Sequence, residues 1–196
     1  MNFESAKRYI LQRLERELDP RLIYHSLHHT LDVLDAATRL SNLEDIPAPE
    51  KILLQTACLF HDSGMLVTYD NHEDASIQIV KDTLPQFNYS VNEIDIINQM
   101  ILSTKLPQKA SLRLDQILCD ADLDYLGRND FFLIAHKLKL EWELMDVRQV
   151  TLSEWYYIQK DFLFNHRYFT LSAIRLRETG KLENLRQIEW MLNHEK

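Results

Sequence analysis

Glycine occurs three times and proline five times in 196 residues, too few turn-forming residues for an all-β chain that reverses direction roughly every ten residues. Cysteine is equally scarce. Cys58 and Cys119 lie far apart in apolar stretches without C-x-x-C spacing, which excludes a disulfide framework and fits buried, reduced thiols. No uninterrupted run of about 18 apolar residues occurs, so no membrane span is expected. Glu4, Lys7, Arg8, Arg13, Glu15 and Arg16 interrupt the start of the chain too often for a secretory apolar segment. Positive charge is also in deficit. Twenty-two Lys and Arg face 30 Asp and Glu, a net charge of −8, and an acidic surface repels a phosphate backbone, so duplex nucleic acid is not expected as a partner. What remains is 45% hydrophobic and 27% charged, the mixture of a globular chain with a sizeable core. These features together describe a soluble, cytoplasmic, all-α protein of one domain, residues 1–196, since no linker, repeat or like-charge block marks a boundary.

Apolar spacings of three and four predict about eight to ten helices. The first covers residues 3–18 and stops at Asp19-Pro20; a second runs over about 23–40. A third is mostly apolar from Ile52 to Phe60, reaches His61-Asp62, and has Gly64 as its terminator. The fourth spans about 72–84 and stops at Pro85. Ser90 with Glu93, and later Thr151 with Glu154, form S/T-x-x-E capping boxes that open two further helices. Another is predicted over 111–125, ending at Gly127, and another over 131–147. Two short helices, 171–177 and 182–193, are expected on either side of Gly180. No segment alternates long enough to read as a strand.

Three clusters carry candidate chemistry. His25, His28 and His29 lie within five residues. If all are helical, His25 and His29 share a face while His28 is swung by about 100°, so two imidazoles enter one cavity or line a half-buried polar face. His61-Asp62 ends the apolar third helix. Eight histidines and sixteen aspartates supply somewhat under one such dipeptide by chance, but an acid at the end of a buried helix demands a counter-charge. Asp120, Asp122 and Asp124 alternate along one predicted helix, so at least one of them faces inward and wants a cation or donors.

These stretches together resemble the HD superfamily of helical metal-dependent phosphohydrolases. Tyr24-His25-Ser26-Leu27-His28-His29-Thr30-Leu31-Asp32-Val33 is similar to a Y-H-x-x-x-H-x-x-D-V stretch of the cyclic-nucleotide phosphodiesterase branch. Leu59-Phe60-His61-Asp62-Ser63-Gly64 matches an L-F-H-D-x-G signature, and Asp120-Ala121-Asp122 resembles the D-A-D segment that supplies a last ligand. The resemblance covers about residues 22–128, with helices in 129–196 completing an HD-like bundle. It implies that His29, His61, Asp62 and Asp122 bind a divalent cation (Mn, Mg, Fe, Co, Ni or Zn), although the pattern alone leaves Asp120 open as the last ligand. It also implies that Asp62 orients the attacking water and that His25 acts as general acid.

That ligand set suits a borderline divalent cation whose bound water ionises near neutral pH and attacks phosphorus. Five-histidine binuclear relatives and di-iron oxygenases need two further histidines before the last Asp; residues 63–121 hold only His72, which favours a single metal, or a second one held mainly by Asp62 and water. His72 and Glu73 are expected to contact the ligands from behind. Lys105 and Arg128 are the basic residues expected to meet substrate phosphate. The function implied is hydrolysis of a nucleotide or another small phosphate ester. A metal-stabilised, non-catalytic nucleotide sensor or scaffold is the alternative, and a homodimer is left open.

Overall fold

Apolar residues recur at helical spacing along most of the chain. The computed structural model, which describes residues 1–194, accordingly holds nine α-helices, three 3-10 turns and no strand among the described residues. Two compact units are formed, one of Met1–Asp19 with His25–Asp122 and one of Pro20–Tyr24 with the chain from Leu123 onward.

The first unit contains α1 (Phe3–Glu17), α2 (Leu27–Leu43), α3 (Ala48–Phe60), α4 (His72–Thr83), α5 (Val91–Thr104) and α6 (Arg113–Asp122). Helix α3 packs against α1, α2, α5 and α6. Surrounded in this way, its last two turns are almost wholly apolar: Leu53, Leu54, Ala57, Cys58, Leu59 and Phe60 are all buried, each large side chain contributing about 1.5–3 kcal/mol. Its last turn therefore delivers His61 and Asp62 into the interior. The Ser90–Glu93 capping box forms as the sequence predicts, with Ser90 N–H donating to Glu93 Oε2 at 2.7 Å.

Two predicted boundaries shift. Helix α2 starts at Leu27, four residues later than expected, because Ser26 in extended backbone caps it and accepts the His29 N–H at 3.5 Å. His25 therefore precedes the helix and does not share an i,i+4 helical face with His29. Helix α6 ends at Asp122 instead of near 125, and Asp124 opens a separate 3-10 turn, Asp124–Gly127. The expectation that Asp120, Asp122 and Asp124 lie along one helix fails for that reason.

Gly64 also plays a different part. Its φ is not positive, so it is not the left-handed terminator the sequence suggests. It lies in the 3-10 turn Ser63–Leu66, where a Cβ would stand 1.9 Å from the His72 carbonyl oxygen. Only glycine permits that turn to lie against the start of α4.

The second unit contains α7 (Phe131–Leu144), α8 (Leu152–Asn165) and α9 (Leu171–His194). Its core gathers Phe131, Trp155, Leu163 and Ile188 with Tyr24 and Tyr125, and the Trp142 and Trp155 rings meet edge to face at 5.2 Å. The buried Glu141 carboxylate accepts the Tyr24 N–H at 2.7 Å. Helix α9 runs unbroken through Gly180, where two short helices were expected. A Cβ at Gly180 would lie 2.1 Å from the Gly127 carbonyl oxygen, and one at Gly127 would lie 2.2 Å from that of Arg177. Glycine at 180 serves close backbone approach, which outweighs its helix cost of about 1 kcal/mol.

Candidate metal centre

Three helix ends of the first unit converge. His29 occupies the first turn of α2, His61 and Asp62 follow the last residue of α3, and Asp122 is the last residue of α6. His61 Nδ1 lies 2.8 Å from the Cys58 carbonyl oxygen. A carbonyl only accepts, so Nδ1 carries the hydrogen and Nε2 is the atom turned toward the other groups. The Nε2 atoms of His61 and His29 are 3.4 Å apart. Asp122 Oδ1 stands 3.2 Å from His29 Nε2 and 3.6 Å from His61 Nε2. Asp62 Oδ2 stands 3.3 Å and 3.1 Å from the same two nitrogens.

This arrangement fits a cation. Two N or O ligands about 2.1 Å from one ion, at tetrahedral or octahedral angles, stand about 3.0–3.4 Å apart, close to the separations seen. The ligand atoms of His29, His61 and Asp122 all lie within 4.8 Å of one another. Asp62 Oδ2 is buried and, despite its distances from two nitrogens, makes no hydrogen bond of acceptable angle. An acceptor stripped of water with no donor aimed at it is costly, and a shared cation removes that cost.

The charges respond to one another. Burial pushes the His29 imidazole toward neutrality, but the Asp122 and Asp62 carboxylates outweigh it and raise its pKa to about 9. His61 is likewise opposed by burial and held well above its ordinary value by Asp62 and Asp122. Burial pushes the Asp62 carboxyl up, yet His61, His29 and His72 hold it well below the usual carboxylate range. Asp122, similarly opposed by burial, is lowered to about 2 by His29 and His61. In the protein alone, protons supply the positive charge that these carboxylates demand.

The remaining sequence candidates fall into three groups. His72 Nε2 lies 3.3 Å from the other oxygen of Asp62, Oδ1, and 3.7 Å from Glu73 Oε1, while its Nδ1–H donates to the Tyr69 carbonyl at 3.2 Å. His25 stands beside this group, its ring centre 5.4 Å from that of His72, 6.2 Å from His29 and 5.8 Å from Tyr69. Tyr69 was not singled out from the sequence, where one tyrosine in a polar loop carries no signal. Lys105 is exposed and its ammonium bonds Asp74 Oδ2 at 2.9 Å and Asn71 Oδ1 at 3.0 Å. Arg128 belongs to the second unit and is held by Asp130 at 2.9 Å and 2.6 Å. All three alternating aspartates turn inward: Asp120 is fully buried outside the three-residue cluster, and Asp124 is clamped by Arg177.

The HD domain profile matches residues 26–124, a span that contains His29, His61, Asp62, His72 and Asp122. The chain belongs to the HD-domain family. An uncharacterised protein from Clostridium beijerinckii is 36% identical over 118 residues, covering 58% of this chain and 73% of that protein. The crystal structure of a predicted HD superfamily hydrolase from an uncultured Thermotogales bacterium matches with a TM-score of 0.61 at 17% identity, over 97% of this chain and 91% of that one. At that identity the likeness is one of fold. The nine-helix arrangement is thus HD-like.

Proposed function

We propose that this HD-domain protein is a metal-dependent phosphohydrolase acting on a nucleotide or another small phosphate ester. The observation that carries the proposal is the convergence of two imidazoles and two carboxylates around a buried Asp62 oxygen that lacks a hydrogen bond. His29, His61, Asp62 and Asp122 hold the ion. A bound divalent cation supplies an acidified water and neutralises charge building on phosphoryl oxygens.

The chain's own groups do the rest. The Cys58 carbonyl fixes the His61 ring so that Nε2 points inward. Asp62 divides its two oxygens between the imidazole pair and His72, and the second oxygen, which can accept more than one hydrogen bond, also orients a water. His25, in the wall beside His72 and His29, donates a proton to the leaving oxygen, as the resemblance implies. Lys105 already has a carboxylate partner, so a substrate phosphate must compete with Asp74, and Lys105 contributes only a few-fold to affinity.

The test is phosphate release by purified protein supplied with Mn, Mg, Co, Ni, Fe or Zn, against a panel of nucleotides and simple phosphate esters. Release that disappears in His61→Ala supports the proposal. Nucleotide binding without release under every ion overturns it in favour of a sensor. In the active preparation, His25→Asn is expected to lower kcat about a hundredfold on esters with poor leaving groups while ion content stays constant; unchanged kcat on those esters removes the proton-donor role.

A further inference from the structure

Asp62 occupies the N-cap position of the 3-10 turn Ser63–Leu66, yet its side chain makes no capping hydrogen bond. That is unusual chemistry for this residue type. An aspartate at an N-cap normally folds its carboxylate back onto the N–H groups that the first turn leaves without acceptors. Here the Met65 N–H is taken by the Asp62 backbone carbonyl at 3.0 Å. The Gly64 N–H is taken by the hydroxyl of Ser76, at 2.7 Å from the second turn of α4. Ser76 is completely buried, and the turn lies hard against α4 there, since a Cβ at Gly64 would lie 2.7 Å from the Ser76 nitrogen and 1.9 Å from the His72 carbonyl oxygen.

The consequence falls on Asp62. With the Gly64 donor satisfied from outside, both carboxylate oxygens turn the other way, Oδ2 toward His29 and His61 and Oδ1 toward His72. Taking the cation-binding reading above as given, we infer that Ser76 is a positioning residue for the metal centre: its hydroxyl substitutes for Asp62 as the cap of the Ser63–Leu66 turn and so keeps the Asp62 carboxylate available to the ion. The same bond ties α4 to this turn, and α4 carries His72 at its first position, so one hydroxyl sets both the ligand and the imidazole behind it.

Removal of the hydroxyl leaves the Gly64 N–H buried and unpaired, and the Asp62 carboxylate, two residues back at the N-cap, is the local group able to accept it. Ser76→Ala is therefore expected to weaken Mn(II) binding about ten- to a hundredfold, the range for groups that orient a metal ligand, as read by titration of metal-free protein with the free ion followed by electron paramagnetic resonance. Ser76→Thr, which keeps the oxygen, is expected to return affinity to within a few-fold of the parent. In metal-free Ser76→Ala, the Asp62 carboxyl carbon resonance is expected to move away from its parent position. Parent-like Mn(II) affinity in folded Ser76→Ala overturns the inference. If that variant does not fold, Ser76→Cys serves with the same titration: its sulfur accepts weakly, so a several-fold loss supports the inference and parent-like affinity overturns it. Parent protein that takes up no Mn(II), or takes it up equally after His29→Ala, overturns the cation-binding reading and the Ser76 role with it. Loss confined to the Ser76 comparison tests the Ser76 role alone.

Discussion

Asp122 and Asp124 are two residues apart, both turned inward, and they meet opposite kinds of partner. Asp122 faces the imidazoles of His29 and His61 at 3.2 Å and 3.6 Å. Asp124 accepts from Nε and Nη2 of the Arg177 guanidinium at 2.8 Å and 2.9 Å. An imidazolium can release its proton to an incoming metal ion, so its charge can be exchanged for that of a cation; a guanidinium keeps its charge, so its pair is permanent. One carboxylate belongs to an exchangeable centre and the other to a clamp between a 3-10 turn and α9, although their local sequence is the same alternation of acids and apolar residues.

Substitution at the two positions gives the sharpest separation. Asp122→Ala is expected to lose bound cation on elemental analysis and to lower phosphate release more than about a hundredfold, beyond what removal of an outer partner of a ligand costs. Asp124→Ala is expected to keep the cation and to lose about 2–3 kcal/mol of stability in urea, since Arg177 is left half-buried and unpaired. Equal cation content in both variants would break the comparison.

The pH dependence of metal-free protein sharpens it from the other side. The folded pKa of His29 is raised to about 9 from 6.5, so its contribution is complete below about pH 6.5 and is lost as pH rises through 9. Asp122 is lowered to about 2 from 3.8, so its contribution is complete above about pH 4 and is lost as pH falls through 2. Urea unfolding of chelator-treated protein is expected to show a fall on the order of 2 kcal/mol between pH 6 and pH 10, and saturating divalent cation is expected to flatten that fall. A metal-free stability that is level across the range would deny the imidazoles their part.

Two smaller effects probe the flanks. Gly180→Ala gains about 1 kcal/mol in helix propensity but places a Cβ 2.1 Å from the Gly127 oxygen, so a net loss of about 1–2 kcal/mol is expected as a lower Tm with cation content unchanged. A raised Tm would return Gly180 to the role of a helix break. Lys105→Ala is expected to raise KM by no more than about threefold, because its ammonium is exposed and shared with Asn71 and Asp74; a tenfold rise would place it on the substrate.

Legibility differed by kind of signal. Capping boxes at Ser90 and Thr151 were readable because both partners lie within four residues. His29, His61 and Asp122 were readable as a set through their family resemblance, and their meeting is a tertiary fact that spacing alone does not determine. The helical face assigned to His25 and His29 was misread because Ser26 stops α2 first, and capping competes with propensity over a single residue. Gly64 and Gly180 were read as punctuation, but both are contact glycines, and the atoms they make room for lie eight residues or more away in the chain. Ser76 and Tyr69 gave no signal because a lone hydroxyl or ring acquires its role only from what packs against it.

Composition and periodicity by themselves determined that the chain is helical, that α3 is buried, and that histidines and aspartates are concentrated at helix ends. These are local properties, written in the spacing of apolar residues and in short capping patterns. Only the tertiary structure decided which carboxylate faces an imidazole and which a guanidinium, and which buried donor is satisfied by a distant hydroxyl. The reason is physical: a buried charge or donor must be matched by whichever group the packing brings within about 3 Å, and chain order does not specify that neighbour.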